Sequence, residues 1–337
     1  DDVTASLEAD TSVYARLSNA DFGLRSTPTE FAFELSNGTF DLQMGPLGSV
    51  TAASVLVQYT NATTTVGAGD SVTVGGLTYN FTEAIAADTV AFAVTGFEAS
   101  IADFVTLGGD LGFRLNSGTI EAAGNGIDAR LEVDPTVYVA VTGADFGLIA
   151  DATRFGFEVS GGSLDVQLGP IGSVTATTVL VRYTNAATTI AATTNVTVGG
   201  VSYTFNEEIA TDTIVFQVDG FNAEVADFVS LSGNLGFARS GTELTAVGDD
   251  VTASLEADTS VYARLSNADF GLRTNPTDFA FELSNGTFDL QMGPLGTVSA
   301  TSVLIQYTNA STTVGAGDSV TVGGLTYNFT EAIAADT

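Results

Sequence analysis

The chain has 337 residues, 45% of them apolar, with 40 acidic side chains against 9 basic ones and a formal net charge of −31. It holds no Cys, no His and no Trp, and every basic residue is Arg. This composition excludes disulfides, thiolate or imidazole metal sites, histidine-based catalysis and Lys–Asn cross-links, and its charge repels nucleic acid and anionic lipid. The apolar fraction is ample for a packed interior. No apolar run approaches the ~18 residues that span a bilayer, and the sequence shows neither a signal peptide nor an initiator Met.

The opening segment, Asp1 to Leu24, returns from Asp249, and a diverged copy starts at Asp128. Landmarks keep one offset of 124 residues: Phe22, Phe146 and Phe270; Pro46, Pro170 and Pro294; Tyr79, Tyr203 and Tyr327. A fixed period marks an array, so the expected organisation is repeat A over 1–124, a diverged repeat B over 125–248, and a partial repeat A over 249–337 that stops in mid-repeat. The chain reads as a window cut from a longer, polymer-like protein.

Within the first repeat the pattern is that of strands. Phe31, Phe33 and Leu35 alternate with Ala32 and Glu34, and Val55, Val57 and Tyr59 alternate with Leu56 and Gln58. Val72 to Val74 leads through Gly75-Gly76 to Leu77, Tyr79 and Phe81, which reads as a hairpin. Glu83 to Ala87 is the one helix-like stretch, a single turn or a loop. Val90, Phe92 and Val94 form a further strand, as do Leu111, Phe113 and Leu115, which turn back at Asn116-Ser-Gly118. Alternation places Phe31, Phe33, Leu35, Val55, Val57, Tyr59, Phe81, Phe92, Val94 and Phe113 inward. Leu56, Ala91 and Ala93 are apolar too, so some strands are expected to be covered on both faces. Strand-like sequence runs through the junctions at 120–128 and 244–252 with no flexible linker. The expected fold is an all-β tandem array of elongated antiparallel modules, either sandwich-like or one coiled sheet.

Ala-Asp-Phe recurs at Ala20, Ala102, Ala144, Ala226 and Ala268, which suggests two related β units per repeat. Its Asp reads as a turn residue bonding backbone N–H groups beside a core Phe, in preference to a Ca²⁺ ligand. Gly67 to Asp70 and Gly124 to Asp128 faintly echo a Gly-rich calcium motif, and Asp249 and Asp250 stand at a junction. Asp70, Asp128, Asp249 and Asp250 are therefore weak candidates for metal, with ordinary turns the preferred reading; no cofactor is expected and Ca²⁺ is unsupported. Asn37, Asn61, Asn80, Asn195, Asn285, Asn309 and Asn328 each open an Asn-x-Ser/Thr sequon. Glu8 with Asp10, and Glu207 with Glu208, are carboxylate pairs close in sequence, but acids are plentiful and nothing singles out a catalytic pair. Arg130, Arg154 and Arg182 replace Ser6, Glu30 and Gln58 of the first repeat, which suggests pairing with acids of a neighbouring chain, against the alternative of surface drift.

Ala20-Asp-Phe22, Val74-Gly-Gly-Leu-Thr-Tyr79, Val94-Thr-Gly96 and Ser117-Gly-Thr119 resemble the style of giant tandem-repeat, adhesin-like surface proteins of bacteria. The resemblance implies an extracellular or cell-surface filament protein that acts in cohesion or adhesion; since a catalytic site copied down an array is unusual, no enzyme activity is expected. Its partners would be copies of itself, with no nucleic acid and no transmembrane segment. The alternatives are a stalk presenting a distal binding domain, or a carbohydrate- or calcium-binding module.

Overall fold

The computed structural model describes every residue except Asp1, Asp103, Ala186, Asp227, Thr312 and Asp336. The chain is all-β, with 71% of it in strands, and the described residues contain no helix beyond three single 3-10 turns. None of these is long and apolar enough to cross a membrane.

In chain order the first strands are β1 (Val3–Asp10), β2 (Val13–Ser26), β3 (Phe31–Met44), β4 (Gly48–Thr60), β5 (Ser71–Val74), β6 (Leu77–Asn80), β7 (Thr89–Ile101) and β8 (Val105–Asn116). There follow β9 (Thr119–Asp134), β10 (Val137–Ala150), β11 (Phe155–Leu168), β12 (Gly172–Ala176), β13 (Thr178–Thr184), β14 (Asn195–Val198), β15 (Val201–Thr204), β16 (Thr213–Val225) and β17 (Val229–Ser240). The last are β18 (Glu243–Asp258), β19 (Val261–Thr274), β20 (Phe279–Ser284), β21 (Thr287–Met292), β22 (Thr297–Ala300), β23 (Ile305–Thr308), β24 (Ser319–Val322) and β25 (Leu325–Asn328). Nineteen belong to one large antiparallel sheet; β5–β6, β14–β15 and β24–β25 are separate hairpins. The expected strand run through each junction is present, as β9 and β18. The helix-like stretch is a loop in which Ile85 bridges Val66.

The chain divides into two compact units, one of Asp1–Val133, Ala140–Glu158 and Ala186–Glu208, the other of Asp134–Val139, Val159–Asn185 and Ile209–Thr337. In the first, β1, β2, β3, β4, β7, β8 and β9 pair in succession, all antiparallel. In the second, β16, β17, β18 and β19 do the same, and β19 continues to β20 and β21. The long strands carry a left-handed residue near mid-length, among them Asn19, Asn37, Gly96 and Gly109 in the first unit and Gly220, Gly233, Asp250 and Asn267 in the second. Register shifts fall beside most of them, so these positions are β-bulges in the ladders of each unit. Asn, Asp and Gly adopt that conformation at least cost.

The inward face differs from the expected one. Phe81, Val55 and Val94 are buried, and Phe31, Phe33, Leu35 and Val57 are half-buried, but Tyr59, Phe92 and Phe113 are 42%, 46% and 44% exposed. The opposite face is the closed one: Ala32, Glu34, Ser36, Leu56, Gln58, Thr60, Ala91 and Ala93 are all buried. The hairpin insertions lie on it, because its small side chains let a second layer approach closely. Gly23 shows this directly: a Cβ there would stand 2.1 Å from the Tyr79 ring. Tyr203 crowds Gly147 and Tyr327 crowds Gly271, each at 2.3 Å. On the other face Phe22 meets Phe33 at 6.4 Å and Phe31 meets Tyr59 at 5.9 Å, forming an aromatic surface that is partly open to solvent.

Candidate functional site: a buried glutamate–tyrosine joint

Each hairpin is fastened to the sheet by a carboxylate. Glu34, in the first third of β3, is fully buried. Its Oε1 accepts the Tyr79 hydroxyl at 2.7 Å, the Thr82 N–H at 2.6 Å and the Thr82 hydroxyl at 3.0 Å. Its Oε2 accepts the Gln58 amide at 2.6 Å, and the Tyr79 oxygen also meets the Ser36 hydroxyl at 2.9 Å. Glu282 is built alike, from Tyr327 at 2.6 Å, the Thr330 N–H at 2.7 Å, the Thr330 hydroxyl at 2.8 Å and Gln306 at 2.6 Å. Glu158 accepts Tyr203 at 2.5 Å and the Asn206 N–H at 3.4 Å.

Burial alone drives a carboxyl towards its neutral form. At Glu282 burial pushes the carboxyl up, but the donors from Thr330, Tyr327 and Gln306 together outweigh it, so it lies below its ordinary value of 4.5. Burial raises Tyr79 and Tyr327 far above the usual phenol range, with the adjacent carboxylate adding to the effect. At Glu282 the joint is thus a carboxylate surrounded by donors. Both of its oxygens accept hydrogen bonds, from the sheet on one side and the hairpin on the other, which suits it to holding two layers together.

Beneath each joint the insertion has a small core: Val66, Phe81 and Ile85 with Tyr79 in the first hairpin, Val314, Phe329 and Ile333 with Tyr327 in the third. Tyr79 and Phe81 pack edge to face at 5.5 Å.

The Ala-Asp-Phe segments at 20–22, 144–146 and 268–270 stand beside left-handed residues, Asn19, Gly143 and Asn267. Asp21 accepts the Asp2 N–H and the Asn37 amide, Asp145 the Gly126 N–H, and Asp269 the Asp250 N–H and the Asn285 amide. The Asn37 bond, then the Asp2 bond, holds the Asp21 carboxyl below its usual value. Backbone capping is therefore the role of this Asp, but the core residue beside it is the Ala: Ala20, Ala144 and Ala268 are buried, whereas Phe22 is 47% exposed. Ala102 and Ala226 differ again, since they sit in turns after β7 and β16. The tripeptide is thus not the mark of two equivalent β units; Asp103 and Asp227 lie outside the described residues.

Asp70 accepts the Gly67 N–H within its turn, Asp128 the Gly143 N–H and Asp249 the Asn234 amide, so these candidates act as backbone or amide acceptors. Asp250 is a left-handed bulge residue. Among the described residues no three acids gather as a metal would require. Glu8 bonds Arg16 at 2.5 Å and Asp10 caps Ser12 and Val13; Glu207 and Glu208 are exposed.

The sequon residues Asn37, Asn61, Asn80, Asn195, Asn285, Asn309 and Asn328 are all exposed. Asn61 and Asn309 accept the Phe31 and Phe279 N–H groups, and Asn37 and Asn285 donate to Asp21 and Asp269.

Arg130 pairs with Glu132 at 2.5 Å and Arg154 with Asp151 at 3.1 Å, both within the chain. Arg182 is 6% exposed. It stands where Gln58 stands in the first repeat, in a strand whose neighbouring positions are largely enclosed.

The glutamates of the joint were missed in the sequence because an alternating polar residue reads as solvent-facing. The available signal was their coincidence: Glu34, Glu158 and Glu282 each lie 45 residues before a Tyr and 11 residues after a mid-strand Gly, Gly23, Gly147 or Gly271. No protein-family model, curated protein or solved structure matches this chain.

Proposed function

We propose that the chain is a structural segment of an extracellular filament or surface fibre, built from tandem 124-residue β repeats and acting in cohesion or adhesion through copies of itself. The observation that carries this reading is the threefold occurrence of the glutamate–tyrosine joint, at Glu34/Tyr79, Glu158/Tyr203 and Glu282/Tyr327. Its most elaborate polar cluster is spent on fastening layers, and that is the economy of a load-transmitting protein rather than an enzyme. A recurrent residue in an array usually serves the array. Strands β9 and β18 run where the sequence places the repeat junctions, which supports tight joining of successive repeats, and the acidic, Lys-free surface suits a solvated exterior. Electron microscopy of the native material tests the reading: fibres with a regular axial repeat are expected, and isolated particles without longitudinal order would overturn it.

A further inference from the structure

Strand register gathers the open face into rows. In the first unit Phe22, Leu35, Val57, Phe92, Phe113 and Ala122 stand opposite one another across β2, β3, β4, β7, β8 and β9. A second row beside it runs through Leu24, Phe33, Tyr59, Val90, Leu115 and Ile120. Neither row holds a charged side chain, although the chain carries 40 acidic residues and 9 basic ones. In the second unit a row of the same kind joins Val181, Phe216, Phe237, Ala246, Leu272 and Phe281. The row next to it holds one charge, the basic Arg239 opposite Ile214.

Phe216 and Phe237 are 41% and 43% exposed, close to Phe92 and Phe113. All four lie in strands that are paired along both edges, so the opening belongs to the face and not to a free strand edge. In the first unit, eight of the twelve side chains in the two rows are 36% exposed or more. At ~90 Å² for each of these large side chains, they leave about 700 Å² of apolar surface open. The largest apolar patch of a typical monomer is ~300–600 Å², and an interface of standard size takes ~800 Å² from each partner.

We propose that this face is an interface between copies of the chain, in which the aromatic rows of one copy pack on those of another as the two layers of a sandwich. Such a contact is isologous, because each copy presents the same rows. The charge distribution selects this partner. Two chains of net charge −31 repel wherever their acidic surfaces meet, and the uncharged rows are where they approach at least cost. The same charge disfavours an anionic bilayer, and rows this apolar lack the polar groups that orient a saccharide. The inference rests on the proposed function in taking copies of the chain as partners, and adds the surface they use.

Sedimentation equilibrium of the full chain tests it. Self-association is expected in the micromolar range and should tighten as salt rises from ~0.05 M to ~0.5 M, because salt screens the repulsion between like charges. Cohesion through ion pairs would weaken over the same series. Phe92→Glu with Phe216→Glu, at two half-exposed sites, should raise the dissociation constant at least about a hundredfold by burying unpaired charge. Thr73→Glu with Thr197→Glu puts the same two charges on exposed hairpin positions and should change it less than about threefold. A chain that stays monomeric at ~100 μM in ~0.5 M salt overturns the proposal. So does association that weakens with salt, that ignores the phenylalanine pair, or that falls equally with the threonine pair, and so does binding of the monomer to neutral phosphatidylcholine vesicles in place of self-association. The salt series uses the unaltered chain, so it decides even where the double variant does not fold. If the chains associate through this face yet the native material shows no fibres, the filament reading fails and the interface stands; if the double variant forms fibres as readily as the parent, the filament reading stands and this interface fails.

Discussion

The two faces of the sheet have opposite chemistry and opposite fates. One presents Phe22, Leu24, Phe33, Tyr59, Phe92 and Phe113 and stays partly open; the other presents Gly23, Ala32, Glu34, Gln58, Ala91 and Ala93 and is closed. Hydropathy alone predicts the reverse. What decides is room: a sheet face of Gly and Ala lets a hairpin approach to contact, and one carboxylate per hairpin then fixes its position. Large side chains would hold the same hairpin away and forfeit its hydrogen bonds.

Removing the carboxylate should break the closed face most severely. Glu34→Ala leaves the Tyr79 hydroxyl, the Thr82 N–H and the Gln58 amide without their acceptor. At ~1–3 kcal/mol for each buried unpaired group, a loss of roughly 4 kcal/mol is expected in denaturant unfolding, with Glu34→Gln milder. Next comes Gly23→Val, whose side chain would occupy the Tyr79 ring position. It should cost about 3 kcal/mol and free the amides of Val66 and Ile85 to exchange, even though it adds apolar surface. A loss under about 1 kcal/mol would mean that the hairpin does not depend on this approach.

Acid should act on the same joint. Glu282 releases its proton more readily folded than unfolded, so its contribution is complete above the ordinary value of 4.5 and fades as pH falls through the lower folded value. Tyr327 is shifted the other way, so its contribution is complete below the ordinary 10.0 and is lost at higher pH. Stability measured against pH should be flat between these limits, and Glu282→Gln should remove this residue's share of the acid limb. The smallest effect belongs to the open face. Phe92→Ser, at a half-exposed site, should cost about 1 kcal/mol or less in the isolated chain. A loss above about 3 kcal/mol would show that this face is closed as tightly as the other.

Much of the fold was legible. Period-two alternation located β3, β4, β7 and β8, Gly75-Gly76 placed the hairpin turn, and the absence of a linker anticipated β9 and β18. These features are local, set by pleat and turn geometry. The choice of face was not legible, because it depends on contacts between Glu34 and a tyrosine 45 residues away. Two alternating sets of side chains fit one strand equally well until something lies on one of them. Asp21 shows the same division: its role as a backbone acceptor follows from its side chain, but that it serves a bulge on the next strand, beside a buried Ala20, is tertiary information.

The placement of the arginines has a practical consequence. Eight of the nine lie within strands, and the ninth, Arg154, directly precedes β11. The hairpin insertions at 61–88, 185–212 and 309–336 contain no basic residue at all. A protease that cuts after Lys or Arg must draw its substrate out as an extended, unpaired segment. Trypsin therefore finds no cleavage point in the hairpin insertions and one, Arg154, in the β10–β11 connection; at every other arginine its rate of digestion reports how often whole strands leave the sheet.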